Sequence, residues 1–279
     1  MALETPFYAV TSLGHTTPYP QTYDPALLLG LERHPGRQSL GLEGAGWPAH
    51  GGDLWTAYEL SWLDAYGRPQ VAVLRLHIGA HSPCIVESKS LKLYLCSLHE
   101  QRFSAPADLL ACLQADLSAC LRASPELQLC TIDDPDLQAQ PASSFCIDQV
   151  AWSGATPTQP DAGVLRGDGE FVVENLVSHL FKSNCPVTGQ PDWASVFIRY
   201  QGPRLDHGAL LAYLLSFRHH ADFHEHCVER IYLDLWRHMQ PESLLVMARY
   251  TRRGGIDINP WRASHATSLT DLWPRLGRQ

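Results

Sequence analysis

The 279-residue sequence lacks the short motifs that mark several common enzyme classes. No Gly-x-Gly-x-x-Gly is present, and the phosphate-binding loop, the Gly-x-Ser-x-Gly elbow and the His-Glu-x-x-His pair are also missing. A nicotinamide cofactor, if one is used, must therefore be held by something other than a Rossmann fingerprint.

Positive charge and long apolar runs are also scarce. With 21 basic and 29 acidic residues the formal net charge is -8, whereas nonspecific nucleic-acid binding needs a basic surface. The longest apolar stretch, residues 205–217, is interrupted by Asp206 and His207. Residues 1–8 contain no basic segment followed by an apolar run. We expect no nucleic-acid partner, no membrane span and a cytoplasmic location.

The eight cysteines include no Cys-x-x-Cys pair and are scattered among helix-like and strand-like segments. This distribution predicts no disulfide framework. Most of the cysteines are expected to be small buried apolar residues.

Hydrophobic periodicity predicts two α+β modules. Residues 1–133 contain an irregular Gly-, Pro- and Thr-rich arm of about fifty residues, strands at 54–63, 70–78, 91–95 and 127–132, and one helix with Leu109, Leu113, Leu117 and Leu121 on one face. Residues 134–169, rich in Pro, Ser, Thr, Gln and Asp, are the predicted linker. Residues 170–279 contain predicted strands at 171–180, 193–200 and 244–250 and predicted helices at 206–217 and 223–239.

Two segments of the second module carry candidate reactive groups. Residues 184–193 form a loop shaped by two prolines and a glycine, in which Cys185 and Asp192 could face one point. In residues 218–227, Asp222 and Glu225 have the spacing of a helix capping box, so Glu225 could be purely structural. Alternatively, His224 and Glu225 are exposed at the first helical turn and point into a pocket. A metal site formed by His220, His224 and Cys227 is a weaker hypothesis than a pocket lined by His224 and Glu225.

Two further segments could hold an anionic ligand. Lys89 and Lys92, with two neighbouring hydroxyls, could hold phosphates or a ribose, although a solvated edge strand also explains them. In residues 252–260 two arginines and two glycines suit a phosphate, and a plain turn is the alternative.

Together these segments resemble the 7-cyano-7-deazaguanine reductases of queuosine biosynthesis in their long, two-module form. Residues 87–94 look like the family's E-S-K-S-x-K-x-Y signature, and residues 184–193 match its cysteine and aspartate loop. Residues 222–228 match D-F-H-E-x-C-V, and residues 252–260 are similar to R-R-G-G-x-D-I-N-P. The likeness runs from Thr16 almost to the C-terminus.

The resemblance implies tandem tunnelling-fold modules, an α+β fold in which antiparallel sheets are backed by helices and sites lie at module or subunit interfaces. It also implies a homodimer without a metal. The expected reaction converts 7-cyano-7-deazaguanine to its aminomethyl counterpart with two NADPH.

The resemblance also implies a role for each matched residue. Cys185 would add to the nitrile and form a thioimidate, with Asp192 as the proton shuttle and His224 assisting. The expected substrate contacts are Val86, Glu87, Ser88, Phe223, His224 and Glu225. The expected NADPH contacts are Ser88, Lys89, Arg253 and Gly254. The resemblance assigns no particular role to His226, and the roles of His219 and His220 are left open.

Two other functions remain open on sequence alone. One is a zinc enzyme of the same fold, such as a cyclohydrolase, acting on a pterin or purine through His220, His224 and a cysteine. The other is a purine-binding or RNA-partner protein without catalysis, which the acidic charge and the Cys185–Asp192 loop disfavour.

Overall fold

A computed structural model describes residues 19–42, 49–152 and 157–279 of the chain. The described residues form two compact units. The first draws on 1–46, 53–137 and 252–257, and the second on 47–52, 138–251 and 258–279. Parts of the predicted arm, including Thr16, lie outside the described residues. The module boundaries at 133 and 169 stay a prediction.

The described part of the first unit combines a three-stranded sheet and a separate strand pair with three helices. In chain order its elements are β1 (Gly30–Glu32), α1 (His34–Ser39), β2 (His50–Leu63), β3 (Pro69–Gly79), β4 (Cys84–Val86), α2 (Ser88–Ser97), α3 (Pro106–Leu121) and β5 (Glu126–Cys130). The sheet order is β5-β3-β2, and β1 pairs with β4 separately. The four leucines predicted for one face of α3 are fully buried, as expected for an amphipathic helix against a sheet.

The strand predicted at residues 91–95 is wrong, because this segment lies in α2. Leu91, Leu93 and Leu95 alternate as in a strand, but Leu91, Tyr94, Leu95 and Leu98 are buried at helical spacing. The Glu87 carboxylate caps the helix by accepting hydrogen bonds from the Lys89 and Ser90 amides, each at 2.8 Å. A glutamate is an unusual N-cap, so the start of this helix was not evident from the sequence.

The second unit is a larger sheet with two helices. Its elements are β6 (Phe145–Cys146), β7 (Gly167–Asn184), β8 (Pro191–Leu205), α4 (His207–Leu215), α5 (His224–Met239), β9 (Ser243–Tyr250) and, from residue 258 onward, β10 (Ile256–Ala263). The order is β10-β9-β8-β7-β6, antiparallel except for β6 against β7. The prediction of an α+β fold built on antiparallel strands is confirmed.

Strand β10 is one of the elements that the sequence did not indicate. Residues 252–260 were expected to form only a ligand loop or a turn. All eight of its residues are buried, including the polar Asp257 and Asn259. Polar residues and Pro260 in a buried strand break the apolar pattern on which strand prediction depends. In the described parts of the chain, no helix has the length and apolar character needed to cross a membrane.

Candidate functional site

The hairpin between β7 and β8 presents Cys185 and Asp192 at its closed end. Strand β7 ends at Asn184, and the turn that follows is held by two backbone hydrogen bonds. Cys185 donates to the Gln190 carbonyl at 2.8 Å, and Gly189 donates to the Cys185 carbonyl at 3.0 Å. Gly189 adopts φ of 68°, which a glycine tolerates without strain. Cys185 and Asp192 are therefore placed by paired strands rather than by a free loop.

Both predicted reactive side chains are buried, with Cys185 3% exposed and Asp192 4% exposed. Asp192 Oδ2 lies 3.3 Å from His224 Nε2. The His224 ring stacks on Tyr250 with centroids 3.8 Å apart and an interplanar angle of 17°. This stacking contact sets the orientation of the imidazole plane, and the contact with Asp192 sets the direction of Nε2 within that plane. Tyr250 was not among the residues expected at the site from the sequence.

The segment before α5 is joined to the end of β7. Asn184 donates its amide to the His220 carbonyl at 2.9 Å, and Asp222 donates its amide to the Asn184 carbonyl at 3.1 Å. Asn184 and Ala221 form an isolated parallel bridge. The structure thus brings the Cys185 loop and the 218–227 segment together, although they are more than thirty residues apart in the sequence.

The capping box expected from Asp222 and Glu225 is wrong. Helix α5 begins at His224, and its N-cap is Phe223 without a side-chain hydrogen bond. Asp222 Oδ1 instead accepts the Phe223 amide at 2.8 Å and lies 3.1 Å from His226 Nδ1. The alternative expectation that His224 and Glu225 are exposed is also wrong, because Glu225 is 2% exposed and the His224 side chain 11%. Glu225 is therefore not a capping residue, and its buried carboxylate must be stabilised by interactions with other groups.

Asp222 and His226 form a buried ion pair that favours the charged form of both. Burial alone would raise the pKa of Asp222, but the charge of His226 and hydrogen bonds from His220 and His226 lower it well below its usual range. Burial alone would lower the pKa of His226. The Asp222 carboxylate, with smaller contributions from Glu229 and Glu225, raises that pKa overall. His226 therefore stays positively charged to a higher pH than a solvent-exposed histidine does.

In the first unit, the residues expected to bind substrate or NADPH lie where β4 passes into α2. Val86 ends β4 and is 1% exposed, and Glu87 is equally buried. Both Glu87 carboxylate oxygens already accept backbone hydrogen bonds from the first turn of α2. Ser88 and Lys89 are part-exposed in that turn. The partial positive charge of a helix N-terminus suits a bound phosphate.

The turn at residues 252–256 lies beside the same helix. Arg253 and Ile256 exchange two backbone hydrogen bonds, and Gly254 and Gly255 have φ of 57° and 78°. A Cβ added to Gly254 would lie 3.4 Å from Lys92 Nζ, so the backbone passes close to this ammonium group. The structure therefore brings the two segments predicted to hold an anion together within the first unit.

The residues considered for a metal have other partners. His220 Nε2 lies 3.5 Å from Asp222, while His224 faces Asp192. Cys227 is fully buried, and burial raises its pKa well above the ordinary value. Within the described ranges, no three His, Cys, Asp or Glu side chains are grouped so that they could hold a metal ion.

Comparison with known proteins gives matches over both halves of the chain. The family model for "Nitrile reductase, 7-cyano-7-deazaguanine-reductase N-term" matches residues 19–129, and the "QueF-like protein" model matches residues 191–268. The NADPH-dependent 7-cyano-7-deazaguanine reductase of Chromohalobacter salexigens is 50% identical over 252 residues, which cover 90% of this chain and 91% of that protein.

Among solved structures, the apo crystal structure of the archaeosine synthase QueF-Like matches 36% of this chain and 99% of its own, with 16% identity and a TM-score of 0.31. That TM-score is too low to establish a shared fold by itself.

Proposed function

This chain belongs to the family of NADPH-dependent 7-cyano-7-deazaguanine reductases, and we propose that its nitrile reduction proceeds through a covalent bond at Cys185. The chain is an oxidoreductase, and NADPH is its co-substrate. The placement of the reaction in queuosine biosynthesis and each residue role below are part of the proposal.

One observation carries the proposal: the strand end that bears Cys185 is hydrogen-bonded to the segment that bears His224, and His224 in turn meets Asp192. The burial of Cys185 and Asp192 and the contact between Asp192 and His224 support a shared site for the thiol, the carboxylate and the imidazole. Such an assembly suits nucleophilic catalysis coupled to proton transfer.

The proposed first step transfers one proton and forms one carbon–sulfur bond. Asp192 takes the proton of the Cys185 thiol and passes it to the nitrile nitrogen as the sulfur adds to the nitrile carbon. The product is a thioimidate, whose carbon accepts a hydride more readily than the nitrile does. His224, 3.3 Å from Asp192, orients the carboxylate and stabilises its charge.

Bound NADPH would supply one hydride to the thioimidate carbon, with the Cys185 thiolate as the leaving group, and a second NADPH would supply a hydride to the resulting imine, whose nitrogen would take one proton through Asp192. The chain must keep water away from that imine between the two transfers. Cys185 and Asp192 are almost completely shielded from solvent, which supports this part of the proposal. The same burial means that the substrate must displace part of the 185–190 turn, or neighbouring side chains, to reach the sulfur.

Glu225 is the proposed partner for the N–H edge of the deazaguanine, with Phe223 covering the base. The first-turn position of Glu225, next to His224, and its burial support this role, since a hydrogen bond to a ligand is stronger where water does not compete for the carboxylate. Contacts from Val86, Glu87 and Ser88 to the substrate stay a prediction.

For NADPH, we propose phosphate contacts from Ser88, Lys89, Arg253 and the Gly254 backbone. The closeness of the 252–256 turn to Lys92 on α2 supports them, because it places several cationic groups in one part of the first unit.

We also propose a homodimer in the cytoplasm that does not bind nucleic acid. Phe171 and Val173 on β7 are 53% and 72% exposed, and exposed apolar residues on a strand near the sheet edge favour association. All eight cysteines lie in described residues and are free, as expected in a reducing compartment. The net charge of -8 disfavours RNA.

The direct test is intact and peptide mass spectrometry after mixing the protein with the nitrile in the absence of NADPH. We expect one adduct, on the peptide containing Cys185, and its disappearance when NADPH is added. Cys185→Ala should abolish both adduct and turnover, while Cys146→Ala, at an exposed cysteine outside the site, should leave both unchanged. Full turnover by Cys185→Ala would disprove the covalent mechanism.

A further inference from the structure

The Asp222–His226 pair has no role in the proposed reaction, yet Asp222 is hydrogen-bonded to Asn184, the residue before Cys185. Asp222 Oδ1 and His226 Nδ1 are 3.1 Å apart, and the His226 side chain is 2% exposed. The pair spans the start of α5, so it ties the residue before the N-cap to the first turn of the helix. His224 and Glu225 lie between its two members.

Asp222 is also connected to the nucleophile. Its amide donates to the Asn184 carbonyl, and Asn184 immediately precedes Cys185. The Asn184 side chain donates to the carbonyls of Arg218 and His220 at 3.3 and 3.2 Å. A displacement of Asp222 would therefore move the Cys185 strand end and the His224 turn relative to each other.

Charged and titratable groups surround the pair on several sides. Asp222 is flanked by His220 and by the Cys227 thiol, while His226 is influenced by Glu225 and Glu229. Glu229 is itself ion-paired with Arg262 on β10, at 2.7 Å.

The imidazole of His226 also has an aromatic contact and one nitrogen without a hydrogen bond. The Phe223 ring packs edge-on against the imidazole, with centroids 6.0 Å apart. Among the described residues, His226 Nε2 has no hydrogen-bond partner although it is buried. Such a nitrogen costs free energy in the folded state, so the orientation of the ring depends on the contact of Nδ1 with Asp222.

We propose that the Asp222–His226 ion pair is a positioning device that sets the distance between Cys185 and the His224–Glu225 turn. This inference rests on the proposed function. The matched family motif leaves the residue at position 226 open, so the role comes from the contacts and not from the resemblance. His226 acts through its neighbours and does not touch the reacting atoms.

Two substitutions separate position from charge. His226→Asn keeps a donor close to the place of Nδ1 but carries no charge at any pH, whereas His226→Leu removes both. The matched control is His238→Leu, an exposed histidine in the last turn of the same helix. The measurements are the rate of Cys185 adduct formation, KM for the nitrile and kcat, each from pH 5.5 to 8.5.

We expect His226→Leu to slow adduct formation by about 10- to 100-fold, the penalty for misplacing a reacting group by roughly 1 Å. The ratio of the wild-type adduct rate to that of His226→Asn should fall as pH increases through the pKa of His226, because a neutral imidazole holds Asp222 less strongly. His226→Asn should form the adduct faster than His226→Leu. His238→Leu should match the wild type throughout.

The inference is overturned if both His226 variants fold and form the adduct at the wild-type rate, or if the adduct rates of wild type and His226→Asn keep a constant ratio from pH 5.5 to 8.5. Should His226→Leu not fold, the pH dependence of His226→Asn decides alone. A wild-type protein that forms no Cys185 adduct would instead contradict the proposed function, so the two failures are distinguishable.

Discussion

Asp192→Asn is the substitution that most directly tests the proposed chemistry. Asparagine has nearly the shape of aspartate. Its side chain should therefore occupy the place of the Asp192 carboxylate, whose Oδ2 lies 3.3 Å from His224 Nε2. It cannot take the thiol proton or deliver it to the nitrile nitrogen. The variant therefore isolates proton transfer from the positioning of Cys185.

A positioned general acid or base contributes a factor of about 10² to 10⁴ in rate, which corresponds to about 2.7–5.4 kcal/mol of activation free energy. Asp192 is 4% exposed, so bulk water has little access to replace the missing group. We therefore expect the loss in kcat/KM to lie in the upper part of this range. Binding of the nitrile should change by less than about threefold, since that interaction is assigned to other residues.

The assay is rapid-quench mass spectrometry of the Cys185 adduct, together with the absorbance change of NADPH in the stopped flow. The matched control is Asp168→Asn, an exposed aspartate that accepts only a local backbone hydrogen bond at 3.0 Å. If Asp192→Asn forms the adduct at more than a third of the wild-type rate, Asp192 is not the proton shuttle.

Three further predictions concern accessibility, stability and pH. Iodoacetamide should modify the exposed Cys146 well before Cys185, which is 3% exposed, and the nitrile should protect only Cys185, as peptide mapping would show. Arg262→Met should lower the free energy of unfolding by about 3–5 kcal/mol in urea titration, because it removes the guanidinium that lies 2.7 Å from the buried Glu229 carboxylate on α5.

The third prediction follows from the opposite pKa shifts of Asp222 and His226. The raised pKa of His226 gives stability that is complete below its ordinary value of 6.5 and is lost as pH rises through the folded-state pKa. The lowered pKa of Asp222 gives stability that is present above 3.8 and is lost on acidification. The Tm difference between wild type and His226→Asn should thus be largest between pH 3.8 and pH 6.5 and should shrink towards higher pH. A difference that does not change with pH would contradict the Asp222–His226 ion pair.

Much of the fold follows from local sequence patterns. The leucines of α3 recur at helical spacing, and the 64–69 turn lies between two alternating runs that became β2 and β3. In such segments one face is apolar and the turn residues mark the ends, so the local pattern and the tertiary environment agree. Strands within β7 and β8 were predicted for the same reason, while residues 184–193 between them were expected to form a loop.

What the sequence could not supply are the contacts that depend on distant segments. The pairing of Asn184 with residues 220–222 has no local signature, and neither does the stacking of His224 on Tyr250. Asp222 was predicted as a cap because its spacing to Glu225 fits a capping box, but the nearby His226 offers the carboxylate a charged partner in a buried place. A charge-assisted interaction there is stronger than a hydrogen bond to a helix amide.

The proposed reactivity of Cys185 is compatible with its burial because the turn that follows Cys185 can open. Two backbone hydrogen bonds close residues 185–190, and each contributes about 1 kcal/mol net. Breaking both would cost about 2 kcal/mol, which leaves an open form populated at about 3% at equilibrium. Such a cost reduces the apparent affinity for the nitrile by about thirtyfold, and closure after binding restores the water-free surroundings that the imine needs. A hairpin with a rigid base at Asn184 and a weakly closed turn can therefore admit the substrate without displacing the strand that positions the sulfur.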